Sequence, residues 1–486
     1  MAEQKPNILV AIADDWAWPH AGAYGCGFVR TPAFDRVARE GVLFDSCFCP
    51  APSCSPSRAS LLTGRNPWEL EEGGNLWGFL PARFPVYPDV LEAEGYHVGH
   101  TNKGWGPGSI EASGRSRNPA GPAYNRYSTE PPTNRMSRND YATNFQDFLS
   151  GRIENAPFCF WFGAKEPHRT YEKGSGLAAG KRLEDVEVPP FLPDCDEVRS
   201  DLLDYALEIE WFDHHLGLML ETLEESGELD DTIVVVTGDN GMPFPRAKAT
   251  VYEIGMHVPM AIRWGRRVPP GRRVTDFMSF VDLAPTFYEA AEVRGPVEIT
   301  GRSLVPVLAG RDEGRVDDLR DHVITGRERH AYVRDGNRGY PSRCIRTDDW
   351  IYIRNFEPER WPAGDPPVYG DVDASPSKHY LIRHRDREGV RRYFELAFGK
   401  RPLEELYRVS EGYGCLENRA GEPELANVKE ELWSRLEAAL IHQNDPRVVG
   451  EAPFDGYPYF GNTTDSDGNT AFTGTDGLKQ DGLLGE

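Results

Sequence analysis

Cys54-Ser55-Pro56-Ser57-Arg58 sets a thiol, a proline and a guanidinium within five residues, at the head of the run Ala59-Ser60-Leu61-Leu62-Thr63-Gly64. Proline is favoured in a helix's first turn, where its missing N–H costs nothing, so Pro56 predicts position N1 and puts Cys54 beside a helix N-terminus. The free N–H groups there favour an anion. Arg58 adds a permanent cation that can fork onto two oxygens. A cysteine is reactive in such an electropositive, partly exposed setting; most others are inert core residues.

Asp14-Asp15 and Asp239-Asn240 supply three carboxylates and an amide oxygen. Hard oxygen donors suit Ca²⁺, and less well Mg²⁺, far better than zinc. Taken singly, each pair reads as a turn or a helix cap. Both pairs, however, follow continuous apolar runs, Asn7–Ala13 and Thr232–Thr237, which read as buried parallel strands. Ligand sites in open α/β sheets gather at the carboxyl edge of the strands, so the metal reading overtakes the turn reading.

The elements that must position these residues follow. Phe158–Phe162 is a third buried strand, ending near Lys165-Glu166-Pro167-His168. Thr31-Pro32 predicts an N-cap and first-turn proline, with Gly41 closing that helix. Residues 198–225 form a long amphipathic helix through Leu202, Leu203, Ile209, Phe212, Leu216 and Leu220. Strands alternating with helices predict an α/β sandwich around a mostly parallel sheet. Beyond about residue 340, Cys344–Arg346 and Trp350–Ile353 read as a hairpin and 426–442 as a helix. The expected organisation is a catalytic domain over 1–340, an antiparallel-sheet subdomain over 341–460 and a Gly/Asp-rich tail over 461–486.

The formal net charge of −23 argues against a nucleic-acid or anionic-membrane binder. No apolar run is long enough to span a membrane. Eight cysteines match no zinc spacing, so most are expected to be buried thiols, with at most a pair or two bridged. No signal peptide is visible. The expected location is periplasmic or secreted with the signal removed, a cytoplasmic one being the alternative.

Cys54-Ser55-Pro56-Ser57-Arg58 with Leu61-Leu62-Thr63-Gly64 resembles the signature of the formylglycine-dependent sulfatases of the alkaline phosphatase superfamily. The resemblance runs from Pro6 to about Leu308 and includes Thr300-Gly301-Arg302-Ser303-Leu304. Pro167-His168-Arg169 and Asp239-Asn240-Gly241-Met242-Pro243-Phe244-Pro245 resemble the subgroup of heparan N-sulfoglucosamine sulfohydrolases and their bacterial relatives. The resemblance implies a large mixed sheet sandwiched by helices, with a smaller C-terminal α+β subdomain. It implies that a maturation enzyme, formylglycine-generating or anaerobic sulfatase-maturating, oxidises Cys54 to formylglycine. It further implies a Ca²⁺ ion held by Asp14, Asp15, Asp239, Asn240 and residue 54.

By the same resemblance, one hydroxyl of the hydrated aldehyde attacks sulfur. Arg58, Lys103 and Lys248 stabilise charge on the sulfuryl oxygens, and His168 or Lys248 protonates the leaving atom. The family commonly has a histidine two residues after the lysine; this chain has Trp105, leaving His100 as a nearby substitute. Arg169, Glu328, His330 and Tyr340 are candidate sugar contacts, although Arg327–His330 could equally be a solvated charged stretch. Trp16, Trp18, Trp68, Trp77 and Trp105 could stack on sugars or pack the core. His214-His215 reads as structural.

The leading expectation is a calcium-dependent sulfatase acting on a sulfated saccharide of glycosaminoglycan or algal type, at an O- or N-sulfate. A phosphate- or phosphonate-ester hydrolase of the same superfamily and a non-catalytic glycan-binding protein are the alternatives. A cysteine-dependent phosphatase would place its arginine six residues after the cysteine.

Overall fold

The structure, a computed structural model, describes residues 5–461. Apart from Gly461, the expected tail lies outside the described residues. Asn7–Ala13 (β1) is buried at every position, as its unbroken apolar run requires of a strand covered on both faces. It is flanked by Phe158–Gly163 (β5) and Thr232–Gly238 (β6), both parallel to it and equally buried. Among the described residues this sheet has seven strands. Besides these it contains Val42–Phe44 (β2), His97–Asn102 (β4), Met260–Trp264 (β7) and Arg272–Val274 (β8), in the order β4-β5-β1-β6-β7-β2-β8. Only β7 opposes its neighbours. Cys47–Phe48 (β3) and Met278–Ser279 (β9) form a separate parallel pair.

Alternate residues of β1 enter different cores, as the two-residue period of a strand demands. Ile8, Val10 and Ile12 pack with Ala59, Leu61 and Leu62 of the helix Cys54–Thr63. Leu9, Ala11 and Ala13 pack with Val37 of the helix Pro32–Glu40 and with Leu202, Ile209, Phe212 and Leu216 of the helix Asp196–Glu225. The sheet is thus sandwiched between helices, as expected.

His322–Arg327 (β10), Ser342–Thr347 (β11), Trp350–Asn355 (β12) and Glu404–Arg408 (β13) form a second, antiparallel sheet in chain order. The hairpin expected around residues 348–349 is β11–β12. Because β10 precedes residue 340, this sheet draws on chain from both sides of the expected boundary. Ile345, Tyr352 and Leu406 bury one of its faces against Leu432, Leu436 and Leu440 of the helix Ala426–His442.

Thr31, Pro32 and Gly41 stand at the N-cap, first-turn and C-cap positions as expected, although the Thr31 side chain makes no capping bond: its hydroxyl accepts from the Gly22 N–H and donates to Asp35. One local expectation is corrected. The helix begins at Cys54, so Pro56 is its third residue rather than its first. All eight cysteines are free thiols and six of them are buried, in line with the expectation of mostly buried thiols.

Candidate active site

Four adjacent strands, β4, β5, β1 and β6, each deliver a polar residue just beyond their carboxyl ends: Lys103, His168, Asp14-Asp15 and Asp239-Asn240. The register pairs Ala13 with Gly238, which sets the two acidic pairs side by side. Glycine at the strand ends permits this crowding. A Cβ on Gly163 would lie 1.8 Å from the Lys103 carbonyl oxygen, and one on Gly238 would lie 2.0 Å from that of Trp16. The backbone turns sharply at Asp15, where φ is +73°, a region costly for a non-glycine residue and often found at functional sites. Its N–H donates to Asp239 Oδ1 at 2.8 Å, locking the two loops together.

Cys54 opens its helix against this edge. Its thiol lies 3.3 Å from Asp14 Oδ1 and 3.9 Å from Asp15 Oδ1. Arg58, wholly buried, donates from Nε to Asp239 Oδ2 at 2.8 Å and from Nη1 to the Lys103 and Gly104 carbonyls at 2.8 and 3.0 Å. Lys103 Nζ is 2.5 Å from Asp14 Oδ2, and Lys248 Nζ is 2.7 Å from Asp15 Oδ2. The Ala249 N–H bonds to the Pro52 carbonyl at 2.9 Å, tying the Lys248 loop to the approach to Cys54. His168 places Nε2 3.9 Å from Asp15 Oδ2, while its Nδ1 lies 2.6 Å from the Arg169 carbonyl.

The charges are strongly interdependent. Burial pushes the Asp14 carboxyl up, but Lys103, His168, Arg58 and Lys248 outweigh it and hold Asp14 far below the usual carboxylate range. Burial and the neighbouring Asp14 carry Asp239 up to about 6. Lys248 remains well above its ordinary range despite burial, because Asp15 and a further carboxylate, Asp373, face it. Burial and Asp14 raise the Cys54 thiol well above its ordinary range. As a plain cysteine, residue 54 is therefore a poor thiolate, contrary to what the helix N-terminus alone would favour.

Asp14, Asp15, Asp239 and Cys54 are all buried, each offering a ligand atom within 4.8 Å of the others'. Asn240 Nδ2 donates to Asp15 Oδ1 at 2.8 Å, while its Oδ1 is buried without a hydrogen-bond partner. Three carboxylates and an orphaned amide oxygen fit a hard divalent cation.

The sugar contacts expected from sequence are less accessible. Arg169 forks onto Asp201 at 2.8 and 2.9 Å, donates to the Pro243 carbonyl, and lies between the rings of Tyr171 and Phe244. The Glu328 carboxylate is taken by Arg343 at 2.8 Å and Arg447 at 2.7 Å. Tyr340 is buried beneath Arg327 and Arg334, with no partner for its hydroxyl. His330 does reach the site: its Nδ1 is 2.7 Å from the hydroxyl of Ser53, the residue before Cys54. Arg327–His330 is buried throughout, which overturns the solvated reading of that stretch.

Trp16, Trp68 and Trp105 are core residues, Trp18 stacks on His257, and Trp77 is half-buried beside Tyr459. His100 Nδ1 is occupied by the Gly121 carbonyl at 3.0 Å. His215 is buried in contact with Tyr141 and Trp211, as a structural histidine would be. Sequence reading missed Asp373, whose Oδ2 lies 3.3 Å from Lys248 Nζ. Gly370-Asp371-Val372-Asp373, before the helix Pro376–Arg383, stands far beyond the other motifs and carries only a weak signal.

A helix-sandwiched sheet whose carboxyl edge gathers cations, carboxylates and a helix-borne residue 54 defines an alkaline-phosphatase-like α/β hydrolase of oxyanion esters. Residues 6–293, more than half of the chain, match the sulfatase family model, and residues 246–362 match that of the N-sulphoglucosamine sulphohydrolase C-terminal region. The chain belongs to the sulfatase family and is a sulfuric ester hydrolase.

Among curated relatives, an ulvan-active sulfatase of Formosa agariphila is 26% identical, covering 91% of this chain and 82% of the relative. The human N-sulphoglucosamine sulphohydrolase is also 26% identical, covering 91% of each chain. A solved structure in complex with its substrate, D-glucosamine-2-N,6-O-disulfate, superposes with a TM-score of 0.67 at 20% identity, over 92% of this chain and 100% of the other. At that identity it speaks to the fold.

Proposed function

We propose that this chain is a carbohydrate sulfatase that releases sulfate from a sulfated saccharide. The observation that carries the reading is the placement of residue 54, at a helix start among three buried carboxylates and flanked by Arg58, Lys103 and Lys248. Names of relatives supply the substrate class: ulvan, N-sulphoglucosamine and N-acetylglucosamine 6-O-sulfate.

Cys54 would be matured to formylglycine, whose hydrated form supplies a hydroxyl nucleophile together with a route for expelling sulfate that a thiol or serine lacks. Asp14, Asp15, Asp239 and Asn240 would hold Ca²⁺ beside it, whose charge polarises a sulfate oxygen when bound. The chain's own residues do the rest. Arg58 fixes the Asp239 carboxylate and adds positive charge beside Asp14. The ammonium groups of Lys103 and Lys248 offset charge that develops on the sulfuryl oxygens. His168 is held by one ring nitrogen and presents the other toward the site, where it can protonate the leaving oxygen or nitrogen.

The test is free sulfate released from N-sulfoglucosamine and from O-sulfated glucosamines, by protein whose Cys54 conversion has been verified by peptide mass. Release from any of them supports the reading. Turnover of a phosphate diester alone would replace it with an ester hydrolase of different specificity. A second reading, cleavage of the S–N bond of N-sulfoglucosamine, is favoured by the match over residues 246–362 and is decided by the same panel.

A further inference from the structure

Asp373 brings a carboxylate to a site meant for an anion, where neither metal binding nor sulfuryl transfer calls for it. Lys248 Nζ is shared between Asp15 Oδ2 at 2.7 Å and Asp373 Oδ2 at 3.3 Å. Asp373 also interacts with His168 and His330. Of these, His168 is the group placed to protonate the leaving atom in the reading above. Its side chain keeps 24% exposure, whereas the side chain of Asp15 has none. A ligand can therefore approach the exposed part of the Asp373 side chain, although Oδ2 itself is buried and has no hydrogen-bond partner.

Its backbone is held from both sides. The Asp371 carboxylate accepts from Arg327, Arg334 and the Ala331 N–H. Lys378 Nζ, buried, donates to the Tyr369 and Val372 carbonyls at 3.0 and 2.7 Å. Ser375 caps the next helix through the Lys378 N–H. Gly370 lets the loop close on Val333, whose Cγ1 lies 2.5 Å from where a Cβ would be. A carboxylate supported in this way is presented rigidly, as a recognition group must be.

We infer that Asp373 is a specificity-determining residue. It accepts a hydrogen bond from a hydroxyl or amine of the saccharide beside the scissile sulfate, and it rejects a second anionic group at that position. The inference rests on the carbohydrate-sulfatase reading. Its physical basis is that a carboxylate beside a bound anion is tolerated only when a donor meets it, and that like charges brought together discriminate strongly between ligands. A residue that merely held Lys248 in place would affect all substrates alike.

The experiment compares kcat/KM of the calcium-loaded, matured full chain and its Asp373→Asn variant. The probes are N-sulfoglucosamine, glucosamine 6-sulfate, N-acetylglucosamine 6-sulfate and glucosamine-2-N,6-O-disulfate. The wild type is expected to favour its best monosulfated sugar over the disulfated one by about tenfold or more, and Asp373→Asn to narrow that ratio to within about threefold. Loss confined to the free-amine sugar identifies an amine donor; equal loss on the N-acetyl sugar identifies a hydroxyl.

An equal fall on all four sugars, or a wild-type preference for the disulfated one, overturns the inference. Asp373→Glu, which keeps the charge, should keep the discrimination, and it serves if the asparagine variant folds poorly. Calorimetric binding of the same sugars to Cys54→Ser, with and without Asp373→Asn, reads the ratio without turnover. Sulfate release absent but ratio present sinks the sulfatase reading alone; ratio absent sinks the role of Asp373.

Discussion

At residue 54 the proposed chemistry depends on a hydroxyl oxygen that a thiol lacks. The buried thiol faces Asp14, and burial with that carboxylate pushes it well above its ordinary range, which disfavours the thiolate that a cysteine-dependent phosphatase needs. Cys54→Ser should preserve the helix start and the surrounding charges while removing the route to sulfate expulsion. Multiple-turnover sulfate release should fall by at least ~10³-fold while affinity for the saccharide stays within about threefold. Full turnover by the serine variant would refute the formylglycine scheme. The orphaned Asn240 oxygen and the three carboxylates around it make a second expectation. Chelation should lower the thermal midpoint, and Ca²⁺ at 100 times its Kd should restore about 2.7 kcal/mol of stability, with Mg²⁺ less effective. An unchanged midpoint by calorimetry would mean that no structural cation is held there.

Between elements, one buried ion pair ties the chain leading into the first sheet to the second sheet. Glu253, the first residue of the short helix Glu253–Met256 that leads into β7, is forked by Arg346 of β11 at 3.0 and 3.1 Å and lies 3.1 Å from His257. Burial pushes its carboxyl up, but Arg346 and His257 outweigh that and lower it to about 2. A depressed carboxylate stabilises the fold above its unfolded pKa of ~4.3, and that contribution disappears as pH falls toward 2, to the extent of ~3 kcal/mol. Glu253→Gln leaves Arg346 buried without a counter-charge and should cost about 3–5 kcal/mol in urea unfolding at pH 7. It should also flatten the acid limb of the stability profile; a change below ~1 kcal/mol would show that the sheets are held by packing alone.

This joint also marks how far the sequence could be read. The strands bearing Asp14 and Asp239 were legible because a continuous apolar run ending in acid is a local pattern. The burial of Arg327 and Glu328 was not, because their partners Asp371 and Arg447 lie 44 and 119 residues further on. Asp373 escaped notice for the same reason: only folding brings it to Lys248.

Across the whole molecule, an enzyme for anions carries a net charge of −23. Close to the site, Arg58, Lys103 and Lys248 face Asp14, Asp15, Asp239 and Asp373, so the chain's own groups there nearly cancel. A bound divalent cation would leave the site slightly positive. That favours the sulfate once it has arrived but is too small to reverse the surrounding field, which reaches about 30 Å at 0.01 M salt and about 8 Å at 0.15 M. A sulfated sugar therefore approaches against repulsion, the opposite of the steering that basic clefts provide. Raising ionic strength from about 0.01 to 0.15 M should increase kcat/KM roughly two- to fivefold, by screening the outer charges more than the buried ones. The increase should be larger for a charged oligosaccharide than for a monosulfated sugar, since each added charge feels the same field. A steady fall of kcat/KM with salt, measured at fixed calcium, would mean that the cations at the sheet edge outweigh the acidic surface and that attraction is local from the first encounter.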